Sequence, residues 1–277
     1  MKAESIGKVV YDIGARFQYE KRGACLETMK KAHLHQDHEL YYLEKGSVQY
    51  FVDNKLLRME PGDLIFIPAG SLHQTSYANK AEAVRRLLLF REDILQGEAR
   101  QRLGVMNREH LVRFSPLHKQ KIYKLLTQIE EEQVGGESDF GQMQELYFQQ
   151  LILLAFRYRM KIVPPEWTES QLLIQEVAAF ISENFGQPLF LQDLARKFGF
   201  SPCYLSRMFK DITGVGICEY IQLSRITAAE KLLQGGMPVS QVAAACGFND
   251  SNYFGAVFKK VKGITPKKYA MREKGES

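Results

Sequence analysis

The chain has few cysteines and no CxxC pair among them. Cys25, Cys203, Cys218 and Cys246 lie far apart in 277 residues. That excludes a CxxC redox or zinc pair and fits reduced thiols in a cytosol. The first residues, MKAESIGKVVYD, lack the apolar stretch of a secretory leader, so no signal peptide is expected. The longest aliphatic run, Leu151 to Phe156, is far too short to span a bilayer. The expectation is a cytoplasmic protein without membrane contact. Charge of one sign is scarce as well, with a formal net charge of +5. From Ser170 onward stand 13 Lys and Arg against 9 Asp and Glu, and the remainder holds 24 against 23. Nearly all the excess therefore lies in the C-terminal part, as phosphate binding requires, though it proves nothing alone. Hydrophobic content of 45% and charged content of 25% describe an ordinary globular chain long enough for about two domains.

What is present is one design written twice. LARKFGFSPCYLSRMFKDITG (Leu194 to Gly214) aligns with VAAACGFNDSNYFGAVFKKVKG (Val242 to Gly263). Gly199-Phe200 matches Gly247-Phe248, and one extra residue in the second copy then brings Tyr204 onto Tyr253 and Phe209-Lys210 onto Phe258-Lys259. Each copy predicts a short amphipathic helix, a glycine turn and a second, well-capped helix. This is the helix-turn-helix pattern, whose second helix enters the major groove. Glycine accepts the left-handed conformation in which helices often end. Ser201-Pro202 supplies an N-cap and a first-turn proline, and Asp250 caps the second copy. Leu205, Met208 and Phe209, then Phe254, Val257 and Phe258, form the expected buried stripes.

The opposite faces carry Cys203, Ser206, Arg207 and Lys210 in the first copy, and Ser251, Asn252, Ala256, Lys259 and Lys260 in the second. Arginine can read guanine bidentately, asparagine can read adenine, and lysines mainly meet phosphates. A solvated helix face is the plain alternative for either copy alone; two copies at this spacing weigh against it. Between them Gly216 to Gln234 reads as one helix, about 28 Å long at 1.5 Å per residue, against about 34 Å between successive major-groove faces.

Gly247-Phe248, Tyr253-Phe254, Phe258-Lys259-Lys260, Gly263, Thr265-Pro266 and Tyr269 resemble the signature of the AraC family of bacterial transcription regulators, over roughly Ser170 to Arg272. The resemblance implies two helix-turn-helix units joined by a long helix and addressing successive major-groove segments. It implies that Cys203, Ser206 and Arg207 face bases in the first unit, and Ser251, Asn252 and Ala256 in the second. One departure is Gly255-Ala256, where the family often carries Ser-Arg. The second unit thus lacks a base-reading arginine, and its specificity rests more on Asn252.

Residues 1 to about 105 read as β. Val48–Val52 and Leu56–Met59 flank the turn-prone Asp53-Asn54, and 63–67, 73–77 and 84–90 are further short strands, suggesting an all-β barrel or sandwich. His33-x-His35-x3-Glu39-x6-Gly46, then Gly62-x5-Pro68-x-Gly70-x2-His73, resembles both halves of the cupin signature, with Tyr77 where an asparagine is expected. Alternate strand residues point one way, so His33 and His35 would face one side, and Glu39 and His73 would complete a set suited to Zn, Fe, Mn or Ni. Three readings stay open. These residues, with Tyr41, line a site for a small effector, as in AraC-type sensor domains resembling cupins. Alternatively they bind a metal, or the histidines merely cap strands at the barrel mouth. Tyr41, Tyr42 and Tyr50 would suit the hydroxyls of a carbohydrate.

Residues 115–160 turn helical. One helix after Ser115-Pro116 carries Ile122, Leu125, Leu126 and Ile129. A second from about Phe140 carries Met143, Leu146, Tyr147, Gln150, Leu151 and Leu154. They either pack on the barrel or form a dimerisation surface. Pro164-Pro165 marks a semi-rigid linker. The expected organisation is multi-domain: a cupin-like effector-binding domain (1–105), a helical linker and dimerisation segment (106–163), and an all-α AraC-type DNA-binding domain (166–277). The function expected is that of a transcription regulator, by family similarity an activator, and not an enzyme. Its expected partners are double-stranded DNA, a small effector, a second copy of the chain and, for an activator, RNA polymerase. No cofactor is required, with a divalent metal in the cupin-like site left open. The competing class is a cupin metalloenzyme with an accessory helical domain.

Overall fold

Alternating side chains decide which way each strand of the N-terminal unit turns. The structure, a computed structural model, describes residues 9–13, 17–22, 37–77, 83–135, 138–163 and 165–273. Its strands are β1 (Val9–Ile13), β2 (Phe17–Arg22), β3 (His38–Lys45), β4 (Val48–Val52), β5 (Lys55–Met59), β6 (Leu64–Ile67), β7 (His73–Tyr77) and β8 (Val84–Phe90). Helix α1 (Gly97–Glu109) precedes the short β9 (Leu111–Val112). Two sheets result, ordered β1-β2-β8-β3-β6-β9 and β5-β4-β7.

In β3 and β6, Leu40, Tyr42, Leu64 and Phe66 turn to one side, into a core with Leu103, Ile122, Leu126, Ile129, Phe148 and Leu151. Those partners come from α1, α2 (Pro116–Gly135) and α3 (Phe140–Tyr158). Tyr41, Leu43, Ile65 and Ile67 turn to the other side and meet Val48, Tyr50, Val52 and Met59 of the smaller sheet. Each such side chain, fully buried, contributes roughly 1.5–3 kcal/mol. Covering both faces of β3 and β6 explains why they lack a clean polar alternation.

The boundary expected at 105 falls inside α1, and β9 beyond it pairs with β6. Contacts group most residues up to Glu166 with the sheets. In α2 the expected stripe of Ile122, Leu125, Leu126 and Ile129 is buried. In α3 the buried residues are Gln144, Phe148, Leu151, Ile152 and Ala155, so of the expected face only Leu151 is buried, and Leu146 is 52% exposed. This helix is apolar on several sides, so two stripes satisfy helical spacing. The sheet selects the one that brings Phe148 to Phe17 and Phe90, at ring-centroid distances of 5.3 and 4.6 Å. Gln144 tolerates burial because its Nε2 donates to the Ile129 carbonyl at 2.9 Å.

The C-terminal unit is helical: α4 (Glu169–Asn184), α5 (Leu191–Phe198), α6 (Pro202–Thr213), α7 (Ile217–Gln234), α8 (Val239–Ala245), α9 (Ser251–Lys262) and α10 (Pro266–Glu273). Thr168 and Gln171 form a capping box at the start of α4. Leu205, Phe209, Phe254, Val257 and Phe258 are buried as their spacing predicts, and Met208 is half-buried. The long helix α7 serves both halves. Its Tyr220 ring stacks obliquely on Phe209 at 5.3 Å. Ile226, Ala229 and Leu233 enter a second core with Val242, Phe254, Phe258 and Tyr269.

Candidate nucleic-acid interface and effector site

The two turn-and-helix units differ in how they are built. In the first, α5 ends on Gly199, whose φ is +77°, and the Ser201 hydroxyl accepts from the Tyr204 N–H at 3.3 Å to start α6. In the second, Gly247 takes a φ of +74° and Asp250 caps α9 by accepting from the Tyr253 N–H. Both caps supply acceptors for otherwise unpaired first-turn amides.

These caps fix which residues each second helix presents. Cys203, Arg207 and Lys210 of α6 are exposed and Ser206 is half-buried. On α9, Ser251, Asn252, Ala256, Lys259 and Lys260 are all exposed. The basic run at 259–262 is divided by the fold. Lys262 is buried, its Nζ donating to Glu230 of α7. Glu230 also accepts from the Tyr269 hydroxyl at 2.7 Å, and Gln234 donates to that hydroxyl at 2.9 Å. Lys262 thus ties α7, α9 and α10 together and is not part of the exposed face.

In the N-terminal unit, polar groups gather between the two sheets. Glu39 and His73 are buried, with His73 Nε2 3.6 Å from Glu39 Oε2. His73 Nδ1 lies 3.0 Å from the Ser71 carbonyl. A carbonyl only accepts, so Nδ1 carries a proton and Nε2 is the atom that meets the carboxylate. The Tyr50 hydroxyl donates to Glu39 Oε1 at 3.3 Å. Thr75 pairs with Tyr50 across the β4–β7 register, and its buried Oγ1 has no hydrogen-bond partner among the described residues. Arg85 of β8 lies over the Tyr41 ring at 5.3 Å, with Nη2 3.8 Å from Glu20.

Of the residues expected at an effector site, the structure thus brings Glu39, Tyr41 and His73 together between the sheets; His33 and His35 lie outside the described residues. Tyr42 is corrected: it follows Tyr41 on the same strand and so points the other way, into the core beneath the helices. Burial there pushes its hydroxyl pKa up to about 12. The sequence reading missed Glu20, Arg85 and Thr75. A signal existed: an Arg-Arg pair interrupts the apolar strand VRRLLLF, and one of two adjacent strand residues must face inward. No group of three or more metal ligands occurs among the described residues. The described half of the set, Glu39 and His73, has the donor types for a divalent ion, and a ring held by Nδ1–H on a carbonyl is how a ligating histidine is oriented. The other two members of that set, His33 and His35, belong to the residues not described.

The comparisons decide between a regulator and an enzyme. The family described as AraC-like ligand binding domain matches residues 24–149, and the family described as Helix-turn-helix domain matches residues 194–272. The chain is homologous to the RhaR regulators of the AraC family, with an AraC-like ligand-binding domain ahead of a helix-turn-helix domain. It is a DNA-binding transcription regulator with an N-terminal effector-binding domain, not an enzyme. The alternative of a cupin metalloenzyme with an accessory helical domain has no support. Among AraC-family relatives, the HTH-type transcriptional activator RhaR of Enterobacter sp. (strain 638) is 27% identical over 254 residues, 87% of each chain. RhaR of Klebsiella pneumoniae subsp. pneumoniae is 27% identical over 249 residues, 87% of this chain and 88% of its own. The structure of ToxT from Vibrio cholerae O395 is 13% identical and covers 95% of this chain and 100% of its own at a TM-score of 0.39, too slight a likeness to argue from. No helix among the described residues is long and apolar enough to cross a membrane.

Proposed function

We propose that this AraC-family chain is a transcription activator switched by a hydroxyl-rich organic effector, such as a carbohydrate, held between the two sheets of its N-terminal unit. The observation that carries the reading is the convergence of Tyr50, Glu39 and His73, with Arg85, Glu20 and the Thr75 hydroxyl on the same inner side. Carboxylates and hydroxyls that can donate or accept suit several sugar hydroxyls at once, and the Tyr41 and Tyr50 rings, 5.2 Å apart, supply an apolar wall. The sense of regulation follows the relatives, which are named activators, and RNA polymerase is then a further partner. A DNA target places the protein in the cytoplasm.

On the DNA side, Arg207 reads a guanine from α6, Asn252 reads an adenine from α9, and Lys210, Lys259 and Lys260 meet phosphates. Cys203, Ser206, Ser251 and Ala256 complete the base-facing surfaces. The α3 face bearing Leu146, with Met143, Tyr147 and Leu154 half-exposed beside it, suits a homodimer contact.

Thermal shift against a panel of sugars tests the effector site. One sugar should raise the melting temperature of the wild type but not of Glu39→Ala or Thr75→Val, while both variants keep duplex binding. A shift that survives in both variants moves the effector elsewhere. Elemental analysis beside His33→Ala/His73→Ala separates the readings: near-stoichiometric metal lost in the variant would replace an organic effector with a metal-dependent one.

A further inference from the structure

The two reading units are not beads on a helical string. Arg225 sits midway along α7, and its guanidinium reaches back to the turn that follows α4. Nε donates to the Phe185 carbonyl at 2.9 Å and Nη2 to the Gln187 carbonyl at 3.0 Å. The same guanidinium lies over the Phe248 ring at 5.6 Å. Phe248 belongs to the turn of the second helix-turn-helix unit, whereas residues 185–187 lead into α5 of the first. One side chain therefore touches both units.

Backbone touches backbone at the same point. A Cβ on Gly247 would stand 2.9 Å from the carbonyl oxygens of Phe185 and Gly186, and a Cβ on Gly186 would stand 2.9 Å from the Ala245 oxygen. Real Cβ atoms do not approach that closely, so both glycines are needed for the second turn to seat against the 185–187 loop. One turn earlier on α7, Gln222 donates from Nε2 to the Tyr253 hydroxyl at 2.8 Å and so holds the first turn of α9. Burial lowers the pKa of the Arg225 guanidinium from its ordinary value, in keeping with a clamp shielded from water.

We infer that Arg225, with the Gly186–Gly247 contact, is a positioning device that fixes the angle and spacing between α6 and α9, and so the phasing of the two DNA subsites this protein accepts. Arg225 has a reason to be arginine beyond charge. Two carbonyls on one turn match its fork, and its planar group stacks on Phe248; a lysine makes one of these contacts at a time. The clamp spares α7 from carrying the phasing alone, since the second turn is held at two points off the helix axis.

The consequence is a spacing rule. One inserted base pair rotates the second subsite by about 34° and moves it by about 3.4 Å. A clamped protein cannot follow and loses the contacts of one unit. The test uses the full chain and a duplex selected by the wild type from a random-sequence library, with insertions of one and two base pairs between the two footprints. For the wild type each insertion should weaken binding by on the order of tenfold or more, the scale of a mismatched base pair. Arg225→Ala, Arg225→Lys and Gly186→Ala should bind the parent duplex more weakly, but each insertion should cost them less than half of the wild-type penalty on a logarithmic scale. A merely structural role lowers the folded fraction, weakens every duplex by one factor and leaves the ratio unchanged; that outcome, in variants shown to be folded by circular dichroism, overturns the inference. Wild-type binding that tolerates insertion overturns it too. A wild type that selects no duplex at all would instead count against the DNA-side reading of these helices. Should Arg225→Ala fail to fold, Arg225→Lys and Gly186→Ala carry the comparison.

Discussion

His73 Nε2 faces Glu39 Oε2 at 3.6 Å, and the Tyr50 hydroxyl holds the other oxygen of the same carboxylate at 3.3 Å. A buried carboxylate held in this way depends on its partners. Removing only one member of a buried polar pair costs about 1–3 kcal/mol, because the other is left buried without its partner. Glu39→Ala and His73→Ala should each destabilise the N-terminal unit. The double variant should lose clearly less than their sum, with a coupling of about 0.5–3 kcal/mol in a urea-unfolding cycle. Strict additivity would mean that the two side chains do not act as a pair.

Equivalent glycines in the two repeats should respond differently to one methyl group. Gly199 has a φ of +77° with open space where a Cβ would stand, so Gly199→Ala adds only left-handed strain, about 1–2 kcal/mol. Gly247 has a φ of +74° and two carbonyl oxygens 2.9 Å from that point. Gly247→Ala should cost at least about twice as much, and each 1 kcal/mol lowers the melting temperature of a domain this size by about 4–8 °C. Calorimetry giving equal shifts would refute the close approach.

Among the lysines of α9, position rather than charge decides the effect. Lys262→Met should lower stability, since it strands Glu230 beside Tyr269, yet leave the salt dependence of duplex binding unchanged. Lys259→Ala and Lys260→Ala should leave stability nearly unchanged and each reduce the slope of log affinity against log salt by about 1. Titration of duplex binding at several salt concentrations separates the two classes, and a reduced slope for Lys262→Met would place that lysine at the DNA.

Thiol chemistry follows burial. Burial pushes the Cys246 thiol up to about 11, against the opposing pull of Arg225, while Cys203 and Cys218 are exposed. Iodoacetamide near neutral pH should alkylate Cys203 and Cys218 and spare Cys246, as peptide mapping would report. The unfolded chain ionises this thiol near pH 9 while the folded chain still holds it neutral. Its contribution is therefore intact below pH 9 and is lost as pH rises toward 11. Cys246→Ala should flatten the alkaline fall in stability over that window, and an unchanged slope would exclude the thiol as its source.

The tandem reading units were legible because several local rules agreed: a glycine stop, a cap and an apolar stripe, twice, with Gly216 and Gly235 bounding the helix between them. The strands were legible from alternation and turn residues, and Asp53 takes the left-handed φ of +53° that a tight hairpin asks for. Harder to see was which face of α3 would be buried, since Leu146 and Phe148 are equally apolar and only the sheet's Phe17 and Phe90 distinguish them.

The sequence by itself determined the elements, the doubled unit and the family, because caps, turns and periodicity act within a few residues of one another. Only the tertiary structure decided that Lys262 is a tie while Lys259 and Lys260 stay exposed, that Tyr41 and Tyr42 serve opposite cores, that Arg85 turns inward over the Tyr41 ring, and that Arg225 clasps both reading units. Each of those outcomes depends on a partner tens of residues away, and no local rule of spacing or propensity carries information about a contact made at that distance along the chain.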